Sequence, residues 1–262
     1  MDRPPTADLL AIAREAASAG AALLVPRFGR ERAVGAKSSP TDAVSEADLA
    51  SERAIREVLA ARRPDDGILG EEGTGDVPGT TGLRWVVDPL DGTVNYLYGL
   101  PQWCVSVAVE DGDETLAGVV YDPLRDEAFC ATCDGPATLG GDTLRGSSRR
   151  ELGRALVATG FGYESAVRRV QAHSVARLLP EVRDIRRAGS AALDLAWLAA
   201  GRFDAFYERG VKRWDVAAGL LVCSRAGLAL RRLEAAGGAP AGVLVAPESL
   251  VEPLLALVSP AA

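Results

Sequence analysis

Apolar residues in the first part of the chain recur at helical spacing. Leu9, Ile12, Ala13, Ala16, Leu23 and Leu24 predict a helix over residues 6–28, with Thr6 as its cap. The repeat stops at Gly29, and residues 29–44 read as a loop. A second helix is expected over residues 45–63, ended by Pro64. The period then shortens to that of strands at 68–71 and 84–87, separated by a Gly/Thr-rich loop, and the second strand runs directly into Asp88. Residues 104–109 and 116–121 flank an Asp111-Gly112-Asp113 turn and predict an antiparallel hairpin, which 127–132 extends.

After Gly140-Gly141 the pattern changes. A strand at 155–159, helices at 165–179 and 190–200, a strand at 205–208 and a helix at 214–226 follow one another. Antiparallel pairing first and α/β alternation second suggest two subdomains, 1–150 and 151–262, with neither a linker-like stretch nor an internal repeat between them.

Composition narrows the function classes. The 262 residues are 48% hydrophobic, enough for a sizeable core. A formal charge of −7 with no basic run at either end argues against nucleic acid as a partner, and an anionic substrate would need local neutralisation. Arg14 and Glu15 interrupt the only apolar stretch near the N-terminus, and no window approaches an uncharged membrane span, so a cytoplasmic protein without a membrane partner is expected. The C-x-x-C pair Cys130 and Cys133 has no second pair and no nearby histidine, so strand packing fits it better than zinc. His173, the single histidine, lies in a polar helical stretch; its isolation excludes multi-histidine metal sites.

The informative segment is WVVDPLDGTVNY, in which Asp88 and Asp91 stand three residues apart at the end of an apolar strand. Pro89 fixes its own φ and Gly92 permits a tight turn, so both carboxylates and the Leu90 carbonyl can point into one space. Hard oxygen donors gathered there suit magnesium. Gly70-Glu71-Glu72 ends another strand, and Trp214-Asp215 opens a helix. Each has a plainer reading: an acidic turn for Asp91-Gly92, solvated acids for Glu71 and Glu72, and an N-cap for Asp215. Ser45-x-x-Asp48 has the spacing of a capping box.

Taken together, WVVDPLDGTVNY, the later WDVAAG, GEEG upstream and RRAGSAALDLAWLAAGRFDAFYE between them resemble the inositol monophosphatase family over nearly the whole chain. The resemblance implies a layered αβαβα sandwich of the inositol monophosphatase / fructose-1,6-bisphosphatase type, a mixed α/β or α+β fold, in a homodimer. It also implies two magnesium ions where the subdomains meet: Glu71, Asp88 and the Leu90 carbonyl on one, Asp88, Asp91 and Asp215 on the other. Thr93 and Glu71 match the pair that activates the attacking water, and Asp48 falls near that water or a weaker third ion. Leu90, Asp91, Gly92, Thr93, Gly189, Ser190, Ala191, Glu208 and Asp215 match residues around the substrate, Glu208 facing a substrate hydroxyl. Lys37 would approach the same region. Lithium inhibition is implied as well.

These roles make physical sense. Crowded carboxylates repel one another unless divalent cations neutralise them, and two metals about 3.5–4 Å apart can polarise a phosphate and lower the pKa of a bound water. The three-residue spacing of Asp88 and Asp91 disfavours phosphatases with an aspartyl nucleophile, whose acids stand two apart. A non-catalytic metal-binding regulatory protein would have no use for the Glu71/Thr93 pair. Among the substrates that the resemblance implies, Glu208 favours a small phosphorylated polyol, myo-inositol monophosphate first; histidinol phosphate and fructose 1,6-bisphosphate are the alternatives. Two segments depart from the family pattern: GPATLGG at 135–141, which bears on a hairpin, and LALRRLEAAGGAPAG after Gly227, which bears on the pocket rim.

Overall fold

The N-terminal apolar repeat forms α1 (Thr6–Leu24), in a computed structural model that describes residues 3–30, 33–36, 43–72 and 75–259. Pro5 precedes the helix, so Thr6 is its first residue and not its cap; the Thr6 hydroxyl donates to Asp134 at 2.8 Å. The expected loop contains a short antiparallel pair, β1 (Ala33–Ala36) and β2 (Ala43–Ser45), strands too brief for a period to register. Lys37 lies outside the described residues. α2 (Glu46–Arg62) begins with the capping box read from the sequence: the Ser45 hydroxyl oxygen accepts from the Ala47 and Asp48 N–H groups, and the Ser45 N–H donates to Asp48 Oδ2 at 2.9 Å.

β3 (Gly67–Gly70), β4 (Asp76–Val77) and β5 (Leu83–Asp91) lead into a short helix, α3 (Thr93–Leu97). β6 (Cys104–Asp111), β7 (Glu114–Asp122), β8 (Glu127–Thr132), β9 (Thr138–Leu139) and β10 (Asp142–Thr143) follow as a meander. The sheet order is β10-β9-β8-β7-β6-β5-β3-β4, antiparallel throughout except for β3 beside β5. Gly140-Gly141, in the segment that departs from the family pattern, closes the last hairpin with two positive φ angles, 60° and 94°.

The second sheet is built from β11 (Leu156–Thr159), β12 (Asp184–Arg186), β13 (Ala205–Arg209), β14 (Ala229–Leu233) and β15 (Gly242–Ala246) in the order β12-β11-β13-β15-β14. Its first three strands are parallel and the other two pairings are antiparallel. Between and after these strands run α4 (Ser165–Leu178), α5 (Ala191–Ala199), α6 (Arg213–Arg225) and α7 (Glu248–Val258).

Alternation along the strands sets the layering. In β6, Val105, Val107 and Val109 join an outer core with α1 and α2, while Cys104 and Ala108 face a middle core with α5 and α6. In β13, Phe206 enters the same middle core, while Ala205 and Tyr207 face the outer layer of α7. The result is the expected αβαβα sandwich, with α4 packed on α7 outside the second sheet. One expectation needs correction. By length and composition alone, Thr6–Arg27 is long and apolar enough to cross a membrane, because Arg14 and Glu15 are too few to disqualify it. In the fold its apolar face, including Leu9, Ile12, Ala13 and Ala16, is buried against α2 and β6 to β8.

Candidate active site

Two residues three apart on a regular strand face opposite sides of the sheet. β5 avoids this for Asp88 and Asp91. Asp88 pairs with Ser106 and Asp91 with Cys104, so the register slips by one residue across the interval containing Pro89, which has no N–H to give the ladder. The bulge returns both acids to the same side, and both line one cavity. Gly92 then takes φ 97° and starts α3; a Cβ there would lie 2.9 Å from the Gln102 carbonyl oxygen.

Helix α2 braces this turn from behind. Thr93 Oγ1 stands 3.0 Å from Asp48 Oδ1 and 3.1 Å from the Leu90 carbonyl oxygen, and Ser51 donates to the Pro89 carbonyl at 2.9 Å. The Leu90 N–H donates to Asp88 Oδ1 at 3.0 Å. Asp91 Oδ2 accepts from the Ser190 hydroxyl at 2.6 Å and from the Ala192 N–H at 2.7 Å. Asp215 Oδ2 accepts from the Lys212 N–H at 2.6 Å; Lys212 caps α6, so Asp215 sits one turn inside the helix instead of capping it. Each of the three aspartates is thus fixed through one carboxylate oxygen.

The cavity measures about 480 Å³. Glu71, Asp88, Asp91, Glu164, Glu208 and Asp215 all line it, with Arg187, Arg209 and Lys212 as the basic residues of the wall. Charge crowding is visible in the acidities. Asp91 is pushed up to about 6, first by burial and then by Glu71, against the bonds from Ser190 and the backbone. Glu208 is pushed up to about 8 by burial and by Asp91, with Arg187 opposing. Asp215 is raised well above the carboxylate range by burial, Glu71 and Asp91. Oxygen-only donors that repel one another fit hard divalent cations. Among the described residues, no three acidic, His or Cys side chains are gathered tightly enough to hold an ion as they stand. The carboxylates ring the cavity.

Among the described residues, the fold brings together all the sequence-predicted residues in the wall except two. Asp48 is fully buried behind Thr93, and Ser190 is buried behind Asp91. Sequence reading missed Phe161, Gly162 and Tyr163, which follow β11, and also Arg187, Arg209 and Lys212. The Gly-Phe-Gly-Tyr run was the available signal, since the carboxyl ends of parallel strands open onto ligand crevices. Cys104 is buried behind the wall, its sulfur 3.6 Å from Ser190 Oγ and 3.8 Å from Asp91 Oδ2.

Comparison with known proteins gives the family. The inositol monophosphatase family model matches residues 6–256. The chain is 44% identical to the inositol-1-monophosphatase SuhB of Mycobacterium tuberculosis, covering 98% of this chain and 96% of the relative. It is 41% identical to the Nus factor SuhB of Escherichia coli, covering 84% and 83%. The solved structure of the extragenic suppressor protein suhB from Bartonella henselae superposes with a TM-score of 0.88 at 33% identity, covering 96% of this chain and 98% of that one. The family match spans both walls of the cavity and every layer around it, and the chain belongs to the inositol monophosphatase family of phosphatases.

Proposed function

We propose that this chain is a cytoplasmic, magnesium-dependent phosphomonoesterase that hydrolyses a small phosphorylated polyol, myo-inositol monophosphate first, with water as the nucleophile. The carrying observation is the ring of six carboxylates around one cavity, at least three of them with raised proton affinity. Such a cavity repels phosphate unless cations reverse its sign. Glu71, Asp88, the Leu90 carbonyl, Asp91 and Asp215 would hold two ions. Magnesium, when bound, supplies positive charge to the phosphate and favours ionisation of water.

The remaining roles belong to the chain itself. Thr93 and Glu71 orient the attacking water, and Asp48 orients the Thr93 hydroxyl from behind the wall. Gly92 and Thr93 offer backbone N–H groups to the phosphate. Gly189, Ser190 and Ala191 form the strip beside the polyol, with Ser190 contributing through its grip on Asp91. Glu208, with its proton affinity raised, can both donate to and accept from polyol hydroxyls. A substrate carrying a second phosphate there would meet an acidic wall. Several relatives are named inositol-1-monophosphatase, which supports the same substrate.

The deciding experiment measures phosphate release from inositol 1-phosphate, histidinol phosphate and fructose 1,6-bisphosphate, with magnesium and with chelator. Inositol 1-phosphate should show the highest kcat/KM, only with magnesium, and lithium should inhibit. A reversed ranking rejects the substrate, and a trapped phosphoenzyme rejects water as the nucleophile. Relatives named Nus factor SuhB favour a second reading, a regulatory protein-binding role on the same fold; an inactive wild-type protein would shift the assignment there. The resemblance also implies a homodimer, for which Tyr98 (80% exposed) and Leu100 (53%) offer apolar area beside the cavity turn. Sedimentation of Tyr98→Glu should show loss of dimer.

A further inference from the structure

Asp48, Ser51 and Glu52 lie at i, i+3 and i+4 on α2 and therefore share one helix face. All three are buried, and each reaches a different part of the cavity wall. Asp48 takes Thr93 and Ser51 takes Pro89, as described. Glu52 takes the loop after β3. Its Oε2 accepts from the Glu72 N–H at 2.8 Å, and its Oε1 accepts from Arg56 Nε at 2.7 Å. A carboxylate only 2% exposed is costly without such partners. Arg56 in turn donates to the Gly75 carbonyl at 3.4 Å, so the helix holds the loop at its start and at its far end. Gly70 makes room for the pair, since a Cβ there would lie 2.8 Å from both Arg56 Nη2 and Glu52 Oε1.

The held loop carries Glu71. Its own N–H donates to the Val87 carbonyl on β5 at 3.2 Å, and the next N–H along the chain is the one Glu52 accepts. Glu71 is therefore fixed between the strand that bears Asp88 and the helix that orients Thr93. We infer that Glu52, paired with Arg56, is a positioning residue that sets the place of Glu71 in the cavity wall. The inference rests on the reading of Glu71 as a metal-holding and water-orienting group.

The alternative is an ion pair that only supports the packing of α2, and a second buried pair measures it. Asp66 accepts from Arg63 Nε at 2.8 Å and from Trp85 Nε1 at 3.0 Å, and it does not line the cavity. The experiment is a calorimetric Mg²⁺ titration with steady-state kinetics and thermal unfolding on the full chain and on E52A, E52Q, R56M and D66N. E52A should weaken Mg²⁺ binding by about 10- to 100-fold, the size of effect seen when groups behind a metal site are lost, and kcat should fall with it. E52Q, whose amide oxygen still accepts from Glu72, should recover most of the affinity. D66N should lower the unfolding temperature and leave Mg²⁺ binding alone. E52A that binds Mg²⁺ like wild type and is merely less stable overturns the inference. If E52A does not fold, R56M decides: weakened binding supports the clamp and unchanged binding overturns it. Wild-type protein that neither binds Mg²⁺ nor releases phosphate overturns the reading of the cavity as well, whereas an active wild type with an indifferent E52A overturns this inference alone.

Discussion

The two walls of the cavity are built on opposite plans. The wall made by β5 and α3 is braced: Asp88, Asp91 and Thr93 each have fixed protein partners, and one face of α2 stands behind them. The facing wall, from the loop after β11, residues 187–191 and the end of β13, is looser in its acids. No hydrogen bond reaches the Glu208 carboxylate among the described residues, and Asp194 beneath it is 1% exposed with Oδ1 unpartnered. Burial and the neighbouring charges of Glu208 and Asp91 hold Asp194 well above the carboxylate range. A wall fixed by hydrogen bonds holds reacting groups in place, and a wall held by protons and charge leaves room for different substrates. The chemistry therefore sits on the rigid side and the choice of substrate on the adjustable side.

The sharpest break in this comparison is Thr93→Ala. Removing one hydroxyl from the braced wall should cost about 100-fold or more in kcat, the scale of a lost proton-transfer partner. Mg²⁺ binding measured by calorimetry should persist, because Thr93 is not in the proposed ligand set. Near-normal turnover would remove Thr93 from the mechanism and leave the bracing without a purpose.

Why the braced wall was legible and the facing one only in part follows from how each is encoded. Asp88 to Thr93 are contiguous, and a proline and a glycine within the run mark a special backbone. The braces were harder to see. Asp48 read as the partner of Ser45 in a capping box, which it is, and only the family resemblance placed it near the reacting water; its second partner lies 45 residues away in sequence. Ser51 and Glu52 carried no signal at all, because a buried polar face on a helix looks like a solvated one until its partners are known. The facing wall draws on loops whose side chains meet only after two parallel strands and a helix have been placed. The bulge at Asp88 to Asp91 was also invisible, and without it the expected convergence of the two acids would have failed on strand geometry.

The acids should also report themselves through stability. Asp91 at about 6 and Glu208 at about 8 bind protons more tightly in the fold than at their ordinary values of 3.8 and 4.5. Stability from such groups is full below the ordinary values and is lost as pH rises through the raised ones. In chelator, the unfolding temperature should therefore decline as pH rises from about 5 to about 8. Magnesium should stabilise more at the upper end, where the carboxylates are ionised, and Glu208→Gln should flatten the upper part of the decline. A chelated protein whose unfolding temperature rises over that range would contradict the charge crowding itself.

Gly160→Ala tests the adjustable wall directly. A Cβ at Gly160 would lie 2.2 Å from both carboxylate oxygens of Glu208, so the acid must swing away. With a hydrogen bond to the polyol lost, KM for inositol 1-phosphate should rise about tenfold, or roughly 1.4 kcal/mol. Mg²⁺ affinity should stay near wild type, since the braced wall is untouched. A matching loss in kcat with unchanged KM would mean that Glu208 acts on the reacting phosphate and not on the sugar.

The smallest effect is expected from Gln171, a brace on the adjustable side. It is 6% exposed on α4; its Oε1 accepts from the Gly162 N–H at 3.0 Å, and its Nε2 donates to the Arg209 carbonyl at 3.3 Å. It thus ties the loop bearing Phe161 and Tyr163 to the strand bearing Glu208. Both bonds end on backbone and neither touches the substrate, so Gln171→Leu should cost only about 0.5–1 kcal/mol, roughly a two- to fivefold rise in KM. Turnover at saturation and Mg²⁺ binding should not move. If Gln171→Leu instead weakens Mg²⁺ binding as strongly as E52A, then α4 braces the metal side too, and the contrast between a fixed wall and an adjustable one does not hold.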